Sequence, residues 1–114
     1  MSKIHKQLSY LHLFLCFVAF TASVLAQETT LKGMVTDSLQ NPLSYANILA
    51  FPDNNDEETA FAITDEKGNY ILKLQKNVPY QLQISYLGYS KLSVKITLLQ
   101  NTSKNFVLIE DVNS

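Results

Sequence analysis

Residues 80–98 read Tyr80-Gln81-Leu82-Gln83-Ile84-Ser85-Tyr86-Leu87-Gly88-Tyr89-Ser90-Lys91-Leu92-Ser93-Val94-Lys95-Ile96-Thr97-Leu98. At the front of this stretch Leu82, Ile84 and Tyr86 alternate with Gln81, Gln83 and Ser85. At its end Leu92, Val94, Ile96 and Leu98 alternate with Ser93, Lys95 and Thr97. Successive side chains of an extended chain point to opposite faces, so a period of two marks a strand with one face buried and one in water. Sheets wetted on one side are antiparallel, because parallel ones are covered on both.

The same pattern continues upstream and downstream. Tyr70, Leu72 and Leu74 share one face, with Lys73 on the other. Thr59, Phe61 and Ile63 form another face, flanked by the small Ala60 and Ala62. Residues 31–36 place Leu31 and Val35 around Gly33, and residues 46–51 are a continuous apolar run suited to a more buried strand. Residues 105–109 supply a last strand, with Phe106 and Leu108 on one face. Turn chemistry separates these runs. Residues 37–42 end at Pro42, residues 52–57 are polar and acidic, and residues 76–79 carry Pro79. Residues 65–69 read as a hairpin turn in which Gly68 supplies a positive φ. Residues 100–104 are polar and separate the last two strands. The expectation is an all-β, seven-stranded antiparallel sandwich of two sheets, immunoglobulin-like in architecture.

The first 26 residues follow another rule. Lys3 and Lys6 are followed by an almost unbroken apolar run over residues 11–20, then by Val24-Leu25-Ala26. That order is a secretory signal peptide with cleavage after Ala26. An uncleaved anchor fits less well, since Ser9, His12, Thr21 and Ser23 interrupt the span. A lipid anchor on Cys16 is rejected, because Leu15 stands where a small residue is wanted and the apolar run continues past it. The expected division is residues 1–26 as leader, 27–110 as the sandwich and 111–114 as a tail. The chain of 114 residues has room for one domain.

Removing the leader removes His5, His12 and Cys16, the only such residues in the chain. The remaining residues hold seven lysines, ten carboxylates and no arginine, a net charge of about −3. Without histidine or cysteine there is no Ser-His or Cys-His nucleophile and no zinc, haem or iron–sulfur site of the usual ligands. There is also no disulfide, so the core alone must hold the domain. No serine after residue 26 is followed by lysine at the third position, and Gly33, Gly68 and Gly88 are too far apart for a phosphate loop. The expectation is therefore no enzyme, no catalytic residue and no cofactor. A net negative domain without arginine also lacks the footprint of a nucleic-acid binder.

Several segments resemble the carboxypeptidase regulatory-like domain. They are Gly33-Met34-Val35-Thr36-Asp37, Asn41-Pro42-Leu43, Ala46-Asn47-Ile48, Thr64-Asp65-Glu66-Lys67-Gly68-Asn69-Tyr70 and Ile84-Ser85-Tyr86-Leu87-Gly88-Tyr89. The resemblance runs over residues 31–109 and implies a transthyretin-like sandwich. Its motif residues here are Gly33, Asp65, Gly68, Tyr70, Tyr86, Gly88 and Tyr89, all structural in role. It implies no peptidase activity, since the family is an accessory domain beside a catalytic one. In Bacteroidetes such domains stand after the signal peptide and before the plug and barrel of TonB-dependent receptors. Two departures concern turns: Glu57-Glu58 and Val78-Pro79 stand where the family often has glycine. The chain closes at Glu110-Asp111-Val112-Asn113-Ser114, near where a receptor would continue. Both a small stand-alone exported protein and a truncated receptor product remain open.

Other groupings have plainer readings. Tyr70 and Tyr86 fit the inward alternation, so they are read as core residues with hydroxyls reaching water at the rim, while Tyr89 is the surface candidate. Asp53, Asp56, Glu57 and Glu58 lack the spacing of a calcium loop and read as a solvated loop. Asp37-Ser38-Leu39 resembles a Bacteroidetes O-glycosylation acceptor at Ser38, and Asn101-Thr102-Ser103 is a sequon only in a eukaryotic secretory route. The function expected is an exported, monomeric, non-catalytic module making protein contacts in the periplasm or at the outer membrane. Its partner would be an envelope protein or an outer-membrane receptor component, recruited by pairing along an edge, with the first or last strand as that edge. The chain would touch a membrane only through its leader or a partner. The alternative is a carbohydrate- or peptide-binding accessory of a secreted hydrolase, which needs exposed aromatics.

Overall fold

The computed structural model describes residues 27–112. The leader and its cleavage point at Ala26 lie outside the described residues. Eight strands form: β1 (Glu28–Thr36), β2 (Asn47–Pro52), β3 (Ala60–Ile63), β4 (Asn69–Gln75), β5 (Pro79–Ser85), β6 (Leu92–Thr97), β7 (Thr102–Ser103) and β8 (Phe106–Val107). One sheet has the order β4-β1-β7, with β8 also on β1, and the other has the order β3-β2-β5-β6. The two sheets make the all-β sandwich that the period of two predicts.

The core is built by that alternation. Leu31 and Val35 of β1, Ile48 and Ala50 of β2, Tyr70, Leu72 and Leu74 of β4, and Tyr80, Leu82 and Ile84 of β5 are all buried. Leu98, Phe106 and Leu108 close it from the C-terminal side. Two buried threonines would be costly without partners. The Thr29 hydroxyl donates to the Leu74 carbonyl at 3.0 Å, and Thr64 is bonded twice, as described below.

The structure departs from the sequence reading in three places. First, there are eight strands rather than seven. The polar connector at 100–104 contains β7, and the strand expected at 105–109 shrinks to two residues. Both short strands run parallel to β1, whereas all pairings among β1 to β6 are antiparallel. The chain leaves β6 in one sheet and crosses to the other, reaching β1 in the direction β1 itself runs. Second, β1 is not an edge. It lies between β4 on one side and β7 and β8 on the other. The edges are β3, β4, β6 and the C-terminal pair.

Third, β3 turns its large residues outward. Ala62 is buried and Ala60 partly so, while Phe61 and Ile63 are 71% and 54% exposed. Thr64 sets this parity. Its hydroxyl, 1% exposed, donates to the Leu43 carbonyl at 2.6 Å and accepts from the Ala46 amide at 2.7 Å. Residues two and four positions earlier must then face inward with it. At this end β3 and β4 leave one hairpin for different sheets.

Candidate functional site

The motif residues fall into three groups, each with a mechanical role. The first is built around Gly33. Tyr70 lies opposite it on β4. The Tyr70 hydroxyl donates to the Lys104 carbonyl at 2.6 Å, and its ring packs against Phe106 with centroids 5.9 Å apart. A side chain at position 33 would collide with the same Lys104 carbonyl. Glycine therefore lets the C-terminal segment lie directly on β1, and the phenol ties it down. Tyr70 is buried as expected, but its hydroxyl meets a carbonyl rather than water. Burial pushes its pKa up to about 12.

Two asparagines that the sequence reading passed over complete this contact. The Thr30 amide donates to Asn101 Oδ1 and the Met34 amide to Asn105 Oδ1, both at 2.9 Å. Between them the Lys104 amide donates to the Lys32 carbonyl at 2.8 Å. β7 and β8 are too short to pair with all of β1, so side-chain amides substitute for missing ladder carbonyls. The available signal was the matching spacing of four in Asn101/Asn105 and Thr30/Met34.

Tyr70→Phe tests this clamp. Losing one hydrogen bond to a buried carbonyl should cost about 1–2 kcal/mol. The wild type should also lose stability between about pH 10, the ordinary tyrosine value, and the folded value of about 12. The protonated phenol is favoured in the folded state, so this contribution is complete below the unfolded pKa and fades as pH rises through the folded one. Urea midpoints from pH 8 to 12 should fall more steeply for wild type than for Tyr70→Phe. Parallel curves would remove Tyr70 as the cause.

The second group is a pair of equivalent turns. In residues 65–69, Asp65 Oδ1 accepts from the amides of Lys67 and Asn69, both at 2.9 Å. The Asp65 amide donates to Asn69 and the Gly68 amide to Asp65, closing the turn. In residues 37–41, Asp37 Oδ1 accepts from the amides of Leu39 and Asn41, again at 2.9 Å, with the same two backbone bonds. Bonds from the Asn41 amide and side chain hold the Asp37 carboxyl below the usual range. The fourth residue of each turn has positive φ: Gly68 at 79° and Gln40 at 67°. The recurrence of Asp-x-x-x-Asn was the sequence signal for their equivalence.

The third group lies at the same end of the sandwich as these turns. The Tyr89 amide donates to the Tyr86 carbonyl at 3.0 Å, with Gly88 at φ 87° in the third position of the turn. A type II turn requires this conformation there. The Asp111 amide donates to Gly88 and the Ser90 amide to Ile109, so the chain's last described residues are held on this turn. Tyr86 and Tyr89 are both half-buried and pack edge to face, with centroids 5.5 Å apart. Tyr89 is thus less open than expected. Partial burial, then the carboxylates of Asp37 and Glu110, raise its pKa.

The two turn glycines should respond differently to alanine. A Cβ on Gly68 would lie 2.8 Å from the Val35 carbonyl and 3.0 Å from Pro42, whereas one on Gly88 would meet nothing within 4 Å. Gly88→Ala should cost about 1–2 kcal/mol, the left-handed backbone penalty alone. Gly68→Ala should cost at least about 1 kcal/mol more, from the added overlap. Thermal unfolding of both variants checks this, and equal losses would remove the contact at Gly68 from the account.

Outside these groups, an apolar face of the second sheet is exposed. Phe61 and Ile63 of β3 and Leu49 and Phe51 of β2 share the outer face of their sheet, with Leu49 directly opposite Phe61. Isolated apolar residues on a surface are ordinary; here four share one face of one sheet. Among the described residues, no three acidic or metal-binding groups converge, including those of the 53–58 loop.

A family model described as CarboxypepD_reg-like domain matches residues 31–114. No curated protein gives a match. Among solved structures, 3-chlorocatechol 1,2-dioxygenase from Rhodococcus opacus aligns with a TM-score of 0.60 at 13% identity, over 75% of this chain and 61% of that one. Chlorocatechol 1,2-dioxygenase from Pseudomonas putida aligns at 0.61 and 10%, over 74% and 61%. Catechol 1,2-dioxygenase from Acinetobacter radioresistens aligns at 0.61 and 11%, over 75% and 53%. The chain spans less than two thirds of each of these enzymes, and at such identity the likeness is one of fold alone.

Proposed function

The chain belongs to the CarboxypepD_reg-like domain family, and from that membership we propose that it is an exported, non-catalytic β-sandwich module that makes protein contacts in the periplasm or at the outer membrane. The N-terminal extension of TonB-dependent receptors is the relative this reading has in view. The exposed apolar face formed by Leu49, Phe51, Phe61 and Ile63 carries it. That patch works against the solubility of a domain with nothing to bind. The basic and apolar order of residues 1–26 supports export.

Expression in a bacterium with an outer membrane, followed by fractionation and N-terminal sequencing, tests the first half. The expected result is protein in the periplasmic or outer-membrane fraction beginning at Gln27. Cytoplasmic protein that keeps residues 1–26 would overturn it. Photo-crosslinking residues placed in turn at Phe61, Leu87 and Val107, three exposed and separate positions, test the second half. Failure to crosslink a protein from any of them would end the reading.

A further inference from the structure

We propose that β3 is the docking edge for an extended segment of a partner protein, with alternating apolar side chains bracketed by lysine or arginine. This deepens the reading of the chain as a contact module and rests on it. Three observations converge. β3 ends its sheet. The Thr64 amide donates to the Ala46 carbonyl, and the Thr64 carbonyl accepts from the Tyr45 amide, so position 64 bonds toward β2. Antiparallel strands alternate this direction, so the amides and carbonyls of Phe61 and Ile63 point away from β2. These groups can continue the ladder onto another strand.

Side chains set the sequence such a strand needs. An added strand places alternate residues beside Phe61 and Ile63; the row through Phe61 continues onto Leu49, and Ile63 stands opposite Asn47. Next to the start of β3 a crevice lined by Glu57, Glu58, Ala60, Lys73, Gln75 and Tyr80 leaves room for the end of the segment. The Lys73 amine on its far wall is 3.9 Å from Glu28.

Charge selects the occupant. Glu57 and Glu58 precede β3, and Asp65 and Glu66 follow it, with Lys67 the only nearby cation in sequence at that end. The Tyr45 hydroxyl donates to Glu66 Oε1 at 3.3 Å, which holds this carboxylate beside the end of the strand. A second copy of the chain is therefore a poor fit. Two antiparallel β3 strands would set Glu57 and Glu58 against Asp65 and Glu66 of the other copy at both ends, a like-charge arrangement that penalises pairing. A segment with cations about seven residues apart spans the roughly 23 Å between the acidic ends, at about 3.3 Å per residue.

The test uses the full chain recovered from an exporting host and synthetic eight-residue peptides. Each peptide has alternating valine and threonine, flanked at both ends by lysine, glutamate or serine. Fluorescence anisotropy should show the lysine-flanked peptide binding at least about tenfold more tightly than the others. Raising salt should weaken that binding. The double variant Phe61→Ser with Ile63→Ser should lose it by about tenfold or more, and Glu57→Gln with Glu58→Gln should lose it severalfold. Circular dichroism controls for folding; Glu58, Phe61 and Ile63 are exposed and Glu57 is half-buried. Equal binding of the three peptides, or a dimer in sedimentation that Phe61→Ser dissolves, would overturn the proposal. Crosslinks from Leu87 or Val107 without any from Phe61 would defeat this edge while leaving the contact module standing. No crosslink from any position would defeat both.

Discussion

Gly33→Ala should lower the unfolding free energy by about 3 kcal/mol or more, at the upper end of what overpacking costs, and should release the C-terminal segment first. The added Cβ would lie 1.9 Å from the Lys104 carbonyl oxygen and 2.6 Å from its carbon. Both atoms are main chain, so no rotamer change relieves the overlap. Gly33 does not have a positive φ, so its role is close approach rather than conformational freedom. Moving Lys104 away would stretch four bonds together. They are the Tyr70 hydroxyl to Lys104, the Lys104 amide to Lys32, and the β1 amides to Asn101 and Asn105. A domain of this size has about 5–10 kcal/mol in total, so the loss is readily measured. Hydrogen exchange should show protection lost at the amides of Lys104 and Leu108 before those of β2 and β5. An unfolding free energy from urea titration within about 0.5 kcal/mol of wild type, the range of ordinary surface changes, would mean that the segment does not rest on β1 as described.

The parts of this fold legible in the sequence are those in which one local rule decides. Leu72 and Leu74, Leu82 and Ile84, and the half-buried Leu92, Val94 and Ile96 of β6 follow the period of two directly. The turn at Gly68 follows from the need for positive φ. The parts not legible depend on contacts distant in sequence. Ala60 and Ala62 read as spacers beside Phe61 and Ile63, because pattern alone favours burying large residues. The opposite orientation is imposed by a threonine bonding to residues about twenty positions earlier. Similarly, the polarity of Asn101 and Asn105 marks a loop until β1 is placed beside them, 71 residues away in the chain. β1 looks like an edge because it comes first, and only the return of the chain after β6 covers it.

The candidate site shows the same division. The motif residues at 33, 65, 68 and 70 stand out as a set in the sequence, and the structure gives each a mechanical task. The face proposed for a partner shows in the sequence only as an ambiguity in β3. Its exposure is a consequence of parity, so the site and the internal bonding of Thr64 are one feature seen from two sides.

That link makes Thr64→Val the second variant of large expected effect. Valine nearly matches threonine in shape, so no cavity forms, and the change isolates the hydroxyl. Without it the Leu43 carbonyl and the Ala46 amide lose partners at 2.6 and 2.7 Å, at a position only 1% exposed. Each buried backbone group left unsatisfied costs about 1–3 kcal/mol, so a loss of about 3 kcal/mol is expected. Thr64→Ser keeps both bonds and removes one methyl group, for a loss of about 1 kcal/mol. Valine must therefore be clearly worse than serine in denaturant unfolding. Equal losses would trace the effect to packing and leave the alanines to orient β3. The order valine below serine below wild type would place the decision in the hydroxyl. Without that bond, β3 can gain by slipping one residue, which carries Phe61 and Ile63 inward and Ala60 and Ala62 outward. The proposed docking edge would then lose its apolar rows. Thr64→Val should consequently bind the lysine-flanked peptide less well than Thr64→Ser even under conditions where both are fully folded, although Thr64 itself faces away from the partner.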